Sequence, residues 1–484
     1  MKIAIIGSGP SGWSAAQKSR SLGHETWVLD SGLVEGDKHL EPFKQSDSHL
    51  SKKLYFGSDL PYRHFEFGPQ IQKSNVNPVY SFAKGGLSLV WGATMLPVSL
   101  QDITQWPLKK VDLHKYYLEI AGLVPISGST DKLDEIYGNY LSRSGVFFSN
   151  RMIKILENFQ EINSDQFCVG GARLAIETGN VINRGCHYCN KCLDGCSDDF
   201  IWSSNLDSSN KNIVKMRVIN LHESINRVLI NGIDENGVQL PTLEFDKVFL
   251  AAGAIESFRI ASESGLVPNN AVMKDSATYF IPFKASPKLG SYKSNSFALS
   301  QCFMRIKALD DSSFTQIQLY EYTDDLIQRV RSTLPLTTFL PNWILRKVLS
   351  HFVIGIGYLS DQDSPSMLIR RDNQGNLAIS INSKGKSVQD RNSKVKKIIS
   401  STKDVFSNAG LTPIIALIRF ANPGEGSHFG GWLPMGSLSD DLGRPNGSKN
   451  IHIVDASILP TIPPGPITFT LMANSRRIVE ESLR

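Results

Sequence analysis

Lys2-Ile3-Ala4-Ile5-Ile6 is a short apolar run dominated by β-branched residues, the pattern of a strand buried on both faces. It ends at Gly7-Ser8-Gly9-Pro10-Ser11-Gly12, after which the spacing predicts a helix over Trp13 to Leu22. A second strand is expected over Glu25 to Leu29, stopping at Asp30. Residues 35–80 carry no regular period and read as irregular loops. Helices are expected over 110–123 and, more loosely patterned, over 131–160. From 213 to 252 the pattern turns to strands: Val214 to Ile219, Ile225 to Ile230 and Val248 to Ala252, with a turn at Asp234-Glu235-Asn236-Gly237. Gly253 then opens a helix from Ala254 to Ser264. Residues 280–420 alternate strands and helices and include a hairpin, Met367 to Ile381, turning on Asp372-Asn373-Gln374-Gly375. A strand from Ile451 to Val454 and a helix from Phe469 to Leu483 close the chain, with no internal repeat.

The first thirty or so positions carry chemistry as well as structure. Gly7 permits a tight turn, Gly9 lets backbone approach a pyrophosphate, and Gly12 allows close helix–strand packing. The helix N-terminus behind Pro10 and Ser11 faces phosphate charge, and Asp30, about 20 residues on, suits ribose hydroxyls. Strand, glycine turn, helix, strand and terminal acid in that order predict a Rossmann-like dinucleotide site, with FAD and NAD both open at this point. The paired glycines Gly85 and Gly86, in an apolar segment with Ser88 and Trp91, predict either a second close approach to a ligand or a plain turn.

With 484 residues, two or three structural units are expected. A hydrophobic share of 41% and a charged share of 20% exclude a disordered or fibrous chain. The net charge of +5 is spread without a long basic run, which points away from nucleic acid. The apolar run in MKIAIIGSG is too short for a signal-peptide core, and no stretch of about 18 apolar residues is present. A cytoplasmic protein is the expectation. Residues 329–353 stand apart: Leu334, Leu336, Phe339, Leu340, Trp343, Ile344, Val348, Leu349 and Phe352 alternate with Arg329, Arg331, Arg346, Lys347 and His351. Such a stretch suits either the surface of the inner membrane or a helix packed on its own domain, and Pro335 and Pro341 interrupt it.

Four of the six cysteines, Cys186, Cys189, Cys192 and Cys196, fall in one short loop. Their Cys-x₂-Cys-x₂-Cys-x₃-Cys spacing matches ferredoxin loops that wrap an iron–sulfur cluster, so a 4Fe–4S or 3Fe–4S centre is expected. Ser197 stands where such loops usually carry proline, and Cys168 is an alternative fourth ligand. Structural zinc, which prefers two separated pairs, and disulfides, which are rare in the cytoplasm, rank lower. A loop without metal also remains open.

His428-Phe429-Gly430-Gly431, Asp441-Leu442-Gly443-Arg444 and the run Asn450-Ile451-His452-Ile453-Val454-Asp455-Ala456-Ser457-Ile458-Leu459-Pro460-Thr461 resemble the closing signature of the glucose–methanol–choline (GMC) oxidoreductases. The N-terminal turn, Gly85-Gly86 and Ala251-Ala252-Gly253-Ala254-Ile255-Glu256-Ser257 match the family's other landmarks in order. The resemblance implies an α/β fold: a Rossmann-like FAD-binding domain with an inserted α+β substrate domain on an antiparallel sheet. It implies a discontinuous FAD domain over 1–34, 80–130, 205–268 and 421–484 and a substrate domain over 269–420, with the cysteine-rich insertion at 150–204. FAD contacts would come from the two glycine turns, from Ala252 and Gly253, from Asp455 and Ala456, and from Thr468 as the cap of the last helix. An alcohol would be oxidised to a carbonyl with His428 as base, since a weakly acidic hydroxyl needs a neutral imidazole to accept its proton.

One position departs from the family. Where an Asn or His usually partners the substrate oxygen, this chain has Pro466, which offers no side-chain partner. Family habit suggests a carbohydrate or glycoconjugate substrate. A cluster would pass electrons singly to an acceptor protein or quinone, favouring a dehydrogenase over an oxidase. Two other readings stay open: a reductase or isomerase drawing electrons inward, and a flavin-binding redox partner without turnover.

Overall fold

The computed structural model describes residues 1–32, 60–62, 70–104, 106–162, 166–179, 185–190, 192, 196, 199–205, 213–290, 297–307, 314–323, 327, 330–331 and 335–484. Five parallel strands form the first layer, in the order Ile451–Ile453, Lys247–Leu250, Lys2–Ile6, Glu25–Asp30 and Ile213–Lys215. Ile3, Ala4 and Ile5 are fully buried, as are Val248, Phe249 and Leu250. A parallel sheet covered on both faces needs such unbroken apolar runs. The helices Pro10–Ser21 and Thr468–Leu483 pack together, and small side chains let them come close. Ser14 Oγ donates to the Met472 carbonyl at 2.7 Å, and Ser475 Oγ donates to that of Ser11 at 2.7 Å. An antiparallel ribbon, Arg217–Glu223, Val228–Ile233 and Leu243–Phe245, adjoins the sheet where Trp27 meets Phe245 edge-on.

A second body is built on an antiparallel sheet. Its strands run in the order Leu411–Pro413, Thr278–Ala285, Phe352–Leu359, Phe314–Tyr320, Cys302–Lys307 and Phe167–Gly171, with Arg419–Phe420 also paired to Thr278–Ala285. Alternation along Phe352–Leu359 gives this sheet two different faces. Val353, Gly355, Gly357 and Leu359 point into the core, whereas Phe352, Ile354, Ile356 and Tyr358 face a cavity. The two glycines make room for aromatic rings. A Cβ on Gly357 would stand 2.0 Å from the Tyr279 ring, and one on Gly355 would stand 2.8 Å from Phe283. A third sheet joins Phe429–Gly430, Asn270–Asp275, Met367–Arg371 and Leu377–Ile381 antiparallel, and adds Ile71–Ser74 in parallel.

Several expectations change. Ile71–Ser74 is a strand where irregular loop was expected. It is a sheet edge with polar, exposed positions, so it leaves no alternating pattern. The stretch 131–160 is two helices, Leu133–Tyr137 and Asn150–Glu161. The first ends at Gly138 with φ of +82°, and the second starts at Ser149, whose hydroxyl accepts from the Met152 amide. The strand expected over Val214 to Ile219 splits at Met216, whose amide bonds to the Asp30 carbonyl as the chain leaves the parallel sheet for the ribbon. Within 329–353 the prolines mark boundaries: a 3₁₀ turn covers Pro335–Phe339, and Pro341 precedes the helix Asn342–Leu349. No helix among the described residues is long and apolar enough to cross a membrane.

The alternation in Phe352–Leu359 generates a prediction. Gly357→Ala should destabilise the protein by roughly 2 kcal/mol through overpacking against Tyr279, read as a lower melting temperature. Gly375→Ala, at a φ of +85° in a hairpin turn, tests ordinary backbone strain instead and leaves the cavity wall intact.

Candidate active site

The N-terminal glycines each meet a different constraint. Gly7 has φ of +102°, and a Cβ there would lie 2.4 Å from the Ala251 carbonyl oxygen. A Cβ on Gly12 would fall 1.9 Å from the Gly7 carbonyl oxygen. Gly9 differs: no protein atom lies within 4 Å of its absent Cβ, and it lines the cavity with Pro10 and Ser11. The first two glycines are required by packing, and the third leaves room for a ligand. Asp30 holds this turn from behind. One carboxylate oxygen accepts from the Ser8 amide at 2.6 Å and the other from the Gly32 amide at 2.6 Å. Burial pushes its carboxyl up, against the pull of the Ser8 and Gly32 donors.

The paired glycines meet the same turn. Gly85 (φ +92°) donates its amide to Ser8 Oγ at 2.8 Å, and Gly86 sits with its Cβ position 3.5 Å from the Gly9 Cα. Ser88 Oγ donates to the Gly85 carbonyl at 2.7 Å. Sequence reasoning missed the clamp on this junction. Ser204 Oγ lies 2.9 Å from the Ser8 carbonyl and 3.1 Å from that of Gly85, and the Trp91 indole donates to the Trp202 carbonyl at 2.9 Å. Only the crossing of distant segments brings these groups together, so no local pattern signals them.

Asp455 supplies a second junction. Its Oδ2 accepts from the Gly253 amide at 2.9 Å and from Ser257 Oγ at 2.5 Å. Its Oδ1 accepts from the Ser457 amide at 2.9 Å and from Ser457 Oγ at 2.6 Å. Ala252, Gly253, Asp455 and Ala456 all line the cavity, and nothing lies within 4 Å of a Cβ built on Gly253. Thr468 lines it too but does not cap the last helix. Ile467 holds the cap position without a side-chain bond, and Thr468 is the first helical residue.

Gly7, Gly9, Pro10, Ser11, Asp30, Gly86, Ser88, Trp91, Ala252, Gly253, Asp455, Ala456 and Thr468 border one cavity of about 1760 Å³ that continues to the antiparallel sheet, whereas Gly12 and Gly85 lie off its wall. The two open glycine positions, the helix N-terminus at Pro10 and the buried carboxylate Asp30 fit an adenine dinucleotide. His428 lines the same cavity. It follows Ser427, whose φ of +64° is unusual for a residue with a side chain. The His428 carbonyl accepts from the Ser276 amide at 2.9 Å, and Phe429 pairs with Asp275. Its ring stands 5.1 Å from that of Tyr358, and its buried Nδ1 has no hydrogen-bond partner among the described residues. Burial pushes the imidazole down to about 4, so it is neutral at physiological pH. Behind it, Asp275 accepts from the Gly424 amide at 3.1 Å, and burial pushes its carboxyl up to about 7.

Pro466 is half-buried and lies off the cavity wall; beside it, Gly465 (φ +116°) leaves space that Gln316 fills. Tyr358 and Tyr320, which no motif singled out, do line the cavity, Tyr358 beside His428. The Tyr320 hydroxyl donates to Gln318 Oε1 at 3.0 Å, and burial pushes both phenols up, so both remain protonated donors.

Cys186, Cys189, Cys192 and Cys196 are all free thiols, and no group of three or more Cys, His, Asp or Glu among the described residues is arranged to hold a metal ion. The iron–sulfur ligation expected from the spacing therefore gains no support, although Cys186, Cys189 and Cys196 all lie near enough to Cys192 to act on its thiol electrostatically. Cys189 is exposed, while Cys192 packs against the core, where burial and then the neighbouring Cys186 push its thiol up to about 12. Cys168, the alternative fourth ligand, sits on Phe167–Gly171 and bonds to the Lys132 carbonyl. The iron–sulfur expectation thus rests on the spacing alone, and no step is routed through a cluster.

No protein-family model matches this sequence, and no curated protein matches it. Among solved structures, the chain is similar to the crystal structure of pyridoxine 4-oxidase from Mesorbium loti, with a TM-score of 0.61 and 14% identity. The match covers 99% of this chain and 98% of that one. The fold is thus shared along the whole length, while most side chains differ.

Asp455→Ala leaves two amides, of Gly253 and Ser457, and two hydroxyls, of Ser257 and Ser457, without their acceptor. It should cost about 3 kcal/mol or more, read as a lower melting temperature. Asp455→Asn, which keeps one acceptor, should fall between this variant and the parent.

Proposed function

We propose that this chain is an FAD-dependent oxidoreductase of the GMC type that oxidises a hydroxyl-bearing carbon to a carbonyl. The observation that carries this reading is a neutral, buried imidazole, His428, on the wall of the same cavity that the glycine-lined dinucleotide cradle borders. Bound FAD would supply the acceptor for the hydride that leaves the carbinol carbon. The protein's own work is on the proton. A ring nitrogen of His428 takes it from the hydroxyl as the carbon–hydrogen bond breaks, and the apolar surroundings keep that imidazole in its accepting form. Tyr358, beside it, supplies the hydrogen bond to the substrate oxygen that Pro466 cannot. The family resemblance at His428–Gly431 and 450–461 and the fold shared with a protein named as an oxidase both support the reading.

Two finer expectations change weight. The preference for a dehydrogenase rests on a cluster that only the cysteine spacing supports, and oxygen stands beside a carrier protein or quinone as electron acceptor. The wall formed by Phe280, Phe352, Ile354, Ile356 and Phe420 favours a hydroxyl carried on an apolar skeleton over a bare sugar. A reductase, or a flavin-binding partner without turnover, remains the second reading. Anaerobic bleaching of the flavin by a hydroxyl compound alone, without added reductant, discriminates against both.

His428→Ala should retain flavin and slow substrate-driven bleaching by about 10²-fold or more. In the parent protein the rate should hold as pH drops below the ordinary histidine range and fall only as pH approaches about 4. The sign follows from linkage. The unfolded chain binds a proton at 6.5 that the folded imidazole refuses until about 4, so stability from this group is lost as pH falls through that window. An acid limb at the ordinary histidine value would remove His428 from the role. Tyr358→Phe should lower kcat/KM by about tenfold with flavin content unchanged, the loss of one hydrogen bond to a reacting oxygen.

A further inference from the structure

The helix Asn342–Leu349 is anchored on one side only. Leu345 is buried against Tyr322 and Ile327, with Leu349 packed alongside. The helical period sends Trp343 and Lys347 to the opposite face, with Arg346 to one side of it. Trp343 is 66% exposed, and Phe339, just ahead of the helix, is 86% exposed. These are large apolar side chains to leave in water, and they are near neighbours along the chain.

The same segment borders the cavity. Leu340 (39% exposed), Val348 (51%) and Leu417 (52%) line the cavity and also face solvent, so they mark its rim. Arg419, exposed and also on the cavity wall, stands beside Leu417. The charge of this rim is one-sided. From Leu326 to Ser360 there is no Asp or Glu, while Arg329, Arg331, Arg346 and Lys347 all fall within that span. Exposed tryptophan and phenylalanine flanked by cations match the headgroup region of an anionic bilayer, where rings enter the acyl boundary and cations meet phosphates. A soluble protein partner would more often find mixed charge around an apolar patch.

We propose that the rim formed by Phe339, Leu340, Trp343, Val348 and Leu417, with Arg346, Lys347 and Arg419, docks on an anionic lipid bilayer. Docking turns the cavity mouth toward the membrane, so that molecules reach the cavity from the lipid surface. This stands apart from the oxidoreductase reading, because it rests on the rim alone and its test needs no turnover.

The test is co-sedimentation of the full flavin-loaded chain with phosphatidylcholine vesicles, with and without phosphatidylglycerol. Binding is expected only with phosphatidylglycerol and should fall at about 0.5 M salt, where charges are screened within a few ångströms. Two double variants, Phe339→Ser with Trp343→Ser and Arg346→Glu with Lys347→Glu, should each weaken binding by about tenfold or more. Flavin content and melting temperature should match the parent, which excludes misfolding. Brominated lipid should quench tryptophan fluorescence in the parent, and much less in Trp343→Phe. Failure of the parent to bind anionic vesicles at low salt would overturn the proposal, as would binding undiminished in both double variants. A parent that instead dimerises through this face, with the serine variant monomeric in light scattering and neither bound to vesicles, would assign the rim to a second copy and overturn it equally.

Discussion

The carboxylate of Asp455 is buried and accepts four hydrogen bonds, two from the start of the helix Ala254–Glu263 and two from Ser457. A buried charge is tolerable only when so fully satisfied. Through it the C-terminal segment is tied to the centre of the chain at the edge of the cavity. The residues that follow extend the tie to the candidate base. The Gly431 amide bonds to the Ala456 carbonyl at 2.8 Å and the Leu433 amide to that of Ser457 at 2.9 Å. Gly430 must be glycine, because a Cβ there would stand 2.2 Å from the Ala456 carbonyl oxygen. One latch therefore sets both a wall of the dinucleotide cradle and the approach of His428 to it.

What could be read from the chain was whatever depends on local backbone. Gly7 and Gly12 announce themselves because steric exclusion of a Cβ is a property of the turn itself, and the buried strand Lys2–Ile6 because both its faces are covered. The hairpin of Met367–Arg371 and Leu377–Ile381 formed where its Asp372–Gly375 turn predicted it. Side-chain partners set by tertiary crossing were illegible. Nothing near Ser8 points to Ser204, and nothing near His428 points to Tyr358, because the sheet alone brings them together. The cysteine loop marks the same limit from the other direction. Spacing states which thiols are near along the chain, and the fold keeps them near in space, but which of them face water and which the core is set by tertiary packing: Cys189 is exposed while Cys192 packs against the core.

The antiparallel sheet shows how one strand serves two demands. In Phe352–Leu359 the inward positions shrink to glycine at 355 and 357 to admit Phe283 and Tyr279, and the outward positions enlarge to Phe352, Ile354, Ile356 and Tyr358. The inward glycines weaken the strand on its own, and the aromatic rings they admit compensate by packing. The outward row gives the cavity an apolar wall ending in a hydroxyl next to His428.

That wall also explains why the imidazole is held as it is. An apolar surround removes water from His428 and favours its neutral form, the form that accepts a proton. The same dryness leaves Nδ1 without a partner, a cost of about 1–3 kcal/mol for a buried polar atom. Ser427, held at φ of +64° immediately before it, adds backbone strain at the same place. Costs of this kind persist where the surrounding structure over-determines them, and here the Asp455 latch, the Ser276 bond and the Phe429 pairing do so. Under the proposed function, a hydroxyl arriving from the cavity would meet the imidazole already in its accepting form, and that form has a single origin, burial of the ring against the sheet.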